Sequence, residues 1–304
     1  MTILAVDTSG APVSVAVAES GRLCARFWLE HGKTHSEALM PCIEQALAGL
    51  GIGAESIGAY AAVVGPGSFT GLRIGVSAVK AMAFARGVQT IGVSSLDSLA
   101  YNTMFYSHSM LCPIIDARNS QVYSAIYRLG ALGASESRTR RVLGGGGAGC
   151  PNGGASAQLG GTGDPHGDGR GLPGGGTLIR VAEPAIRHVS ELAGEIGRLL
   201  SERRDAPTCP ARPAAGAPSG CRPVVFNGDA APKYMEYFER ALADAGCACC
   251  MAGERDLLSD AASAALIAHG MAQRGALTPP AMLLPVYLRA SQAERRRNEL
   301  GERR

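Results

Sequence analysis

A glycine-rich turn set between two apolar stretches constrains this chain more than any other feature. Residues 59–64, Ala-Tyr-Ala-Ala-Val-Val, have the unbroken apolar character of a buried strand, and from Ile74 to Ala85 apolar residues occupy almost every face of a predicted helix. Between them runs Gly65-Pro66-Gly67-Ser68-Phe69-Thr70-Gly71-Leu72-Arg73-Ile74-Gly75. A strand, a glycine turn and a helix N-terminus form an α/β unit, and such units cradle phosphate where helix N–H groups point into the turn. Both standard phosphate templates fail here. A Walker A loop needs Lys-Ser/Thr after its last glycine, and Gly71 is followed by Leu72 and Arg73. A dinucleotide fingerprint needs its third glycine at the sixth position from Gly65, where Thr70 stands. The run is open to a plainer reading, in which Gly65 and Gly67 permit a tight turn and Ser68 or Thr70 caps the helix.

The flanking sequence organises around this unit. Residues 3–8, 13–18 and 23–29 form a predicted three-strand meander with turns at Ser9-Gly10-Ala11-Pro12 and Ser20-Gly21. Thr34 and Glu37 have capping-box spacing, and Leu39, Ile43, Leu47 and Leu50 make an apolar stripe, so a helix is expected over residues 35–50. Another strand is expected at 90–94, a short helix at 96–102, and a hairpin in which residues 111–115 and 121–127 flank Asp116-Ala117-Arg118-Asn119-Ser120. About half of residues 144–176 are glycine and none is aromatic, which leaves too little apolar surface to offset ordering entropy. Residues 206–223 are Ala/Pro-rich and read the same way. Helices are expected at 189–203, 233–245 and 260–272, with a strand at 224–226.

With 304 residues, 46% of them hydrophobic and 18% charged, the chain can bury one large core or two modest ones. Its formal net charge of +3 does not demand nucleic-acid binding, and Arg295-Arg296-Arg297 is most simply a solvated terminus. No apolar run is long enough to span a bilayer, and the N-terminus lacks the features of a signal peptide, so a cytoplasmic location is expected. The nine cysteines form no paired Cys-x-x-Cys motifs, and Cys247, Cys249 and Cys250 read as thiols in an Ala-rich turn. His31 and His35 have His-x-x-x-His spacing, but the cap at Thr34 leaves His31 outside the helix and no third ligand is near, so no metal site is expected.

Asp7-Thr8-Ser9 ends the first strand and leads through a turn into the second, as in the phosphate-binding hairpin that opens the actin, sugar-kinase and Hsp70 group. With Gly228 and Asp229, which follow the later strand, these residues are the nucleotide-binding candidates. No Gly-x-Ser-x-Gly elbow marks a hydrolytic serine, and no catalytic residue is assigned.

Several segments together carry a family resemblance: Ile3-Leu4-Ala5-Val6-Asp7-Thr8-Ser9, His35-Ser36-Glu37-Ala38-Leu39-Met40-Pro41, the run from Gly65 to Gly75, Asp116-Ala117-Arg118 before Val122-Tyr123, and Pro285-Val286-Tyr287-Leu288-Arg289. The chain resembles the TsaB (YeaZ) family over residues 1–128 and, more loosely, 224–289. That resemblance implies an α/β fold of the actin-like, ribonuclease H-like (ASKHA) type, with two lobes of mixed sheet flanked by helices. The lobes are expected at 1–106 and 107–304, with inserts at 144–176 and 206–223. It also implies a non-catalytic role in forming N6-threonylcarbamoyladenosine at position 37 of tRNAs that read codons starting with A. The implied partners are a TsaD-type transferase and a TsaE-type ATPase, which would carry the metal and ATP, with no cofactor on this chain, tRNA reached only through the complex, and a homodimer when the chain is alone. The N-lobe helices would supply the transferase-facing surface, drawn from His35, Leu39, Ile43, Ser68, Phe69, Thr70, Arg73, Ile74, Ala78 and Ala81. The competing expectations are an actin-like small-molecule kinase or ATPase using Asp7, Gly228 and Asp229, and an M22-type glycoprotease-like metallopeptidase, which would need His31 and His35 to hold metal.

Overall fold

The structure, a computed structural model, describes residues 1–30, 32, 34–104, 106, 110–131, 141–142, 176–202, 223–244 and 246–289. Nearly all of both expected inserts, His31 and the Arg295-Arg296-Arg297 tail lie outside these residues.

Two sheets form the frame. Strands β1 (Thr2–Asp7), β2 (Val13–Glu19) and β3 (Arg22–Leu29) make an antiparallel meander, followed by helix α1 (His35–Leu50), strand β4 (Ala59–Gly65), helix α2 (Phe69–Arg86), strand β5 (Gln89–Ser94) and helix α3 (Ser95–Asn102). The first sheet has the order β3-β2-β1-β4-β5, with β4 parallel to both β1 and β5. The second half repeats the plan with β6 (Met110–Asp116), β7 (Gln121–Ala131), β8 (Arg141–Val142), β9 (Gly176–His188), α4 (Val189–Ser201), β10 (Val224–Asn227), α5 (Ala231–Ala243), β11 (Cys249–Met251) and α6 (Ala261–Gln273). Its sheet runs β11-β10-β6-β7-β9-β8, so β9, β7, β6, β10 and β11 stand in the same third-second-first-fourth-fifth order as the first sheet. This duplicated mixed α/β architecture is the actin-like, ribonuclease H-like fold expected from the resemblance.

Side-chain alternation decides how the halves join. On the first sheet Leu4, Val6, Val15, Val17, Tyr60 and Ala62 face α1 and α2. The opposite face presents the small residues Ala5, Ala16, Ala18, Ala59 and Ala61, and against it lies α6, itself lined by Ala261, Ala264, Ala265 and Ala268. Alanine on both sides lets the helix approach the sheet closely. The exchange is mutual. Helix α3 packs Leu96 and Ala100 against Leu111, Tyr127 and Val225 of the second sheet, whose other face is covered by α4 and α5. Each half thus lends its last helix to the other half's sheet.

Most expected elements form within a few residues of their predicted bounds. Helix α1 matches its expected span, and the Glu37 carboxylate accepts the Thr34 backbone N–H at 3.0 Å, as its spacing implied. Three strands had no clear signal, the two-residue β8 among them. In β9 the dipeptide Glu183-Pro184 breaks the alternation, and it sits at an irregularity where the β7 register shifts between Ser124 and Ile126, a position that tolerates proline. Cys249 and Cys250 belong to β11, a parallel edge strand held by β10, rather than to a turn.

Candidate functional site

The glycines of the run turn inward, onto the chain itself. Ser68 caps α2 with its hydroxyl oxygen accepting from the Gly71 N–H at 3.2 Å. The Ser68 N–H donates to the Ser9 carbonyl at 2.8 Å, and Thr8 Oγ1 donates to the Gly71 carbonyl at 2.7 Å. A Cβ placed on Gly67 would stand 2.4 Å from the Ser9 carbonyl oxygen, one on Gly71 2.0 Å from the Thr8 carbonyl oxygen, and one on Gly75 2.3 Å from Thr8 Oγ1. Glycine is required three times because the β1–β2 turn lies in the groove where side chains would be. The space that a phosphate cradle would leave open is taken by Thr8 and Ser9.

Asp7 is correspondingly enclosed. It is buried, and one carboxylate oxygen accepts the Ser9 N–H at 2.8 Å and the Ser9 hydroxyl at 2.7 Å, while the other accepts the Ser259 hydroxyl. Burial raises its pKa above the usual carboxylate range, against the opposing pull of the Ser259 and Ser9 hydrogen bonds. The folded state therefore holds this proton more readily than the unfolded chain. The associated stability is fully present below the ordinary carboxylate pKa and is lost as pH rises through the raised one. Asp7→Asn keeps an acceptor for Ser9 and a donor for Ser259 while removing the buried charge. Its stability at pH 7 is expected to equal or exceed the parent's, and the gap should close toward pH 4, as urea melts at the two pH values would reveal; a variant markedly weaker at pH 7 contradicts the reading.

In the second half Gly228, at φ 97°, is buried, and a Cβ there would stand 2.1 Å from the Ile114 carbonyl oxygen. Asp229 accepts the Asp116 N–H at 2.9 Å, and Asp116 pairs with Lys233 at 3.2 Å. These two candidates tie the start of α5 to the end of β6. The nucleotide-binding candidates thus occupy two separate turns, each held by its own contacts.

A third segment joins the two halves. After α6 the chain passes the edge of β5 through paired Thr278 and Thr90, and Lys80 reaches the Ala281 carbonyl at 3.2 Å. Leu283 is buried in the first core, and the Val286 N–H donates to the Val64 carbonyl at 2.8 Å. Tyr287 lies against Phe69 with centroids 4.9 Å apart and ring planes tilted by 34°, and accepts Arg73 Nε–H at 3.1 Å, while Arg289 donates to the Ala117 carbonyl at 2.6 Å. Residues 283–289 thereby bring the glycine run and the Asp116-Ala117-Arg118 turn, far apart in sequence, to one corner. Tyr287 and Arg289 were not among the candidate site residues, and their place in the terminal segment that carries the resemblance was the signal.

The expected partner-facing residues divide. Leu39 and Ile43 are 2% and 3% exposed, because α1 turns them into its own core, which corrects their place in a docking surface. His35 is half-buried, with Nε2 at 3.1 Å from the Ala11 carbonyl, and Ser68 is occupied in capping. Thr70, Ala81 and Ala85 are exposed and Ile74 and Ala78 half-buried along one flank of α2, while Phe69 and Arg73 lie on another, beside residues 283–289. Among the described residues no group of three His, Cys, Asp or Glu side chains could hold a metal, and no helix is long and apolar enough to cross a membrane.

Comparison with known proteins agrees with this geometry. A family model described as TsaD, tRNA N6-adenosine threonylcarbamoyltransferase, matches residues 30–158. The tRNA threonylcarbamoyladenosine biosynthesis protein TsaB of Bacillus subtilis is 34% identical over 128 residues, 42% of this chain and 56% of that protein, and its Escherichia coli counterpart is 35% identical over 129 residues, 42% and 55%. Over this part the chain is similar to the TsaB (YeaZ) proteins. It spans about half the length of the curated TsaB proteins it matches. YeaZ from Pseudomonas aeruginosa shares the fold over 94% of this chain and 99% of its own, at a TM-score of 0.59 and 22% identity. The TsaB-like run is thus the part of this fold that seats a neighbouring turn.

Proposed function

We propose that this chain is a non-catalytic subunit required for N6-threonylcarbamoyladenosine formation at position 37 of tRNAs reading codons that start with A. It acts as partner of a TsaD-type transferase, joined by a TsaE-type ATPase, and pairs with a second copy when alone. The observation that carries this reading is the filled turn: Thr8 and Ser9 occupy the glycine groove, and the chain's own hydroxyls and N–H groups take up the Asp7 carboxylate. A phosphoryl-transfer site would leave such donors and acceptors to substrate and metal. Metal and ATP belong to the partner subunits in this reading. The names of the curated relatives support the pathway.

The partner-facing surface is the flank of α2 that carries Thr70, Ile74, Ala78, Ala81 and Ala85, where small side chains permit close helix approach. Exposed apolar helix surface of this kind gains about 25 cal/mol per Å2 when covered. Depleting the protein in its host is expected to lower the threonylcarbamoyladenosine content of bulk tRNA, read by nucleoside mass spectrometry; an unchanged level sinks the assignment. Ala81→Glu puts a charge in the middle of that flank. It should weaken capture of a TsaD-type partner at least tenfold in pull-down assays and leave the stability of the isolated chain within about 0.5 kcal/mol of the parent, since an exposed helix position tolerates glutamate.

A further inference from the structure

Three segments meet at the corner built by residues 283–289, and each brings a guanidinium. Arg73 lies over the Phe69 ring at 3.8 Å from its centroid and donates Nε–H to Tyr287, which fixes the plane of the group and leaves its two terminal nitrogens without a partner among the described residues. Arg289 is held through one terminal nitrogen on the Ala117 carbonyl, and its other donors meet no acceptor among those residues. Arg118 is exposed; its backbone N–H donates to Asp116 and its carbonyl accepts the Gln121 N–H, while its guanidinium has no partner among the described residues. Tyr287 and Arg289 stand two positions apart, at most about 7 Å of chain, so the groups share one surface. A guanidinium already anchored on one edge loses little freedom when its remaining fork meets a phosphate.

The surroundings narrow the ligand. Phe69 and Tyr287 are 38% and 39% exposed beside the flat Arg73 group, an arrangement on which an unstacked base can lie. Arg118, Asn119 and Ser120 hold φ values of 65°, 53° and 56°, three consecutive side-chain-bearing residues in the left-handed region, and all are exposed at the tip of the β6–β7 turn. Such outliers persist where a turn is held for a purpose. The nearby carboxylates are already engaged: Asp116 pairs with Lys233 and accepts the Arg118 N–H, and Asp229 accepts the Asp116 N–H. Four cations, Arg73, Arg118, Arg289 and Lys233, therefore meet two carboxylates among the described residues. On α2, Arg73 lies roughly a quarter-turn or more from Ala78 and Ala81, so this corner meets the proposed partner flank only at its first residue, Thr70.

We propose that this corner binds an RNA strand, its arginines taking backbone phosphates and the Phe69–Arg73–Tyr287 group stacking one base. The inference rests on the reading above that an RNA is modified in this chain's assembly, and adds that this subunit touches the RNA itself. The test measures fluorescence anisotropy of a labelled RNA hairpin with a seven-nucleotide loop, on the full chain and on the chain co-purified with a TsaD-type partner, over a range of salt concentrations. Unlabelled ATP and inorganic phosphate serve as competitors. Arg118→Gln combined with Arg289→Gln should weaken binding at least tenfold and flatten the plot of log affinity against log salt by about 0.7 for each phosphate no longer neutralised. Phe69→Ala should weaken binding with the slope unchanged. The Arg118 side chain holds no part of the described fold together, so a weakened affinity in Arg118→Gln alone cannot come from misfolding, and Arg240→Gln on α5 should bind as the parent does. Equal binding by parent and double variant, or no RNA binding by either preparation, overturns the proposal. So does equally tight competition by ATP or phosphate, which would make it a small-anion site, or loss of partner capture by the double variant with RNA affinity intact, which would make it a protein-binding surface. Variants that lose RNA but retain the partner separate this inference from the subunit assignment, which the tRNA nucleoside measurement tests on its own.

Discussion

Replacing Gly71 with alanine is expected to destabilise the protein by about 3 kcal/mol or more, although glycine to alanine within a helix ordinarily stabilises by about 0.5–1 kcal/mol. The sign reverses because the new methyl would stand 2.0 Å from the Thr8 carbonyl oxygen, a backbone atom next to the last β1–β2 ladder pair, Asp7 and Ser14, and 3.0 Å from the His35 ring. Relief requires moving α2 away from β1, and that separates Thr8 Oγ1 from the Gly71 carbonyl. Gly194→Ala is the internal control. It also lies within a helix, α4, and a Cβ there meets nothing within 4 Å, so it should raise stability by the ordinary helix increment. Chemical denaturation of the two variants beside the parent decides the matter: if both move the same way, the run's glycines are not there for close approach.

Arg180→Met is expected to cost about 3–5 kcal/mol, the usual penalty for breaking a buried ion pair by removing one partner. Arg180 on β9 pairs with Asp97 on α3, both nearly buried, and Asp97 also accepts the Tyr127 hydroxyl at 2.6 Å. Without the guanidinium, Asp97 retains one hydroxyl donor inside the core that joins α3 to the second sheet. Adding Asp97→Asn to Arg180→Met removes the stranded charge and keeps an acceptor for Tyr127, so most of the loss should return. A double-mutant cycle in urea measures this; additive losses would mean that the pair does not act as a unit. Because α3 is the first half's contribution to the second half's core, this pair bears on how firmly the halves are joined.

The local elements were legible where one pattern served one purpose. The meander, α1 and α2 each follow from alternation or helical periodicity backed by turn and cap residues, and Thr34 and Glu37 act as their spacing implied. β9 was obscured because a bulge with Pro184 interrupts its alternation, and β11 because three residues on a parallel edge carry no period at all. Leu39 and Ile43 show the limit for surfaces: an apolar stripe says that a face is covered, and not whether the cover is the chain's own core or another molecule. The same limit applied to Asp7, whose residue type suits a metal-water ligand and whose partners, Ser9 and Ser259, come from opposite ends of the chain.

By itself the sequence determined that residues 65–75 form a strand-to-helix turn rich in glycine, that neither nucleotide template fits it, and which family it resembles. Only the tertiary structure decided what the glycines are for. Their missing side chains make room for Thr8 and Ser9 from another hairpin, and the same fold draws Tyr287 and Arg289 across to the Ala117 turn. Composition and spacing describe what a residue can tolerate, whereas close approach between segments dozens to hundreds of residues apart is fixed by how two sheets exchange their last helices, and no local pattern encodes that distance.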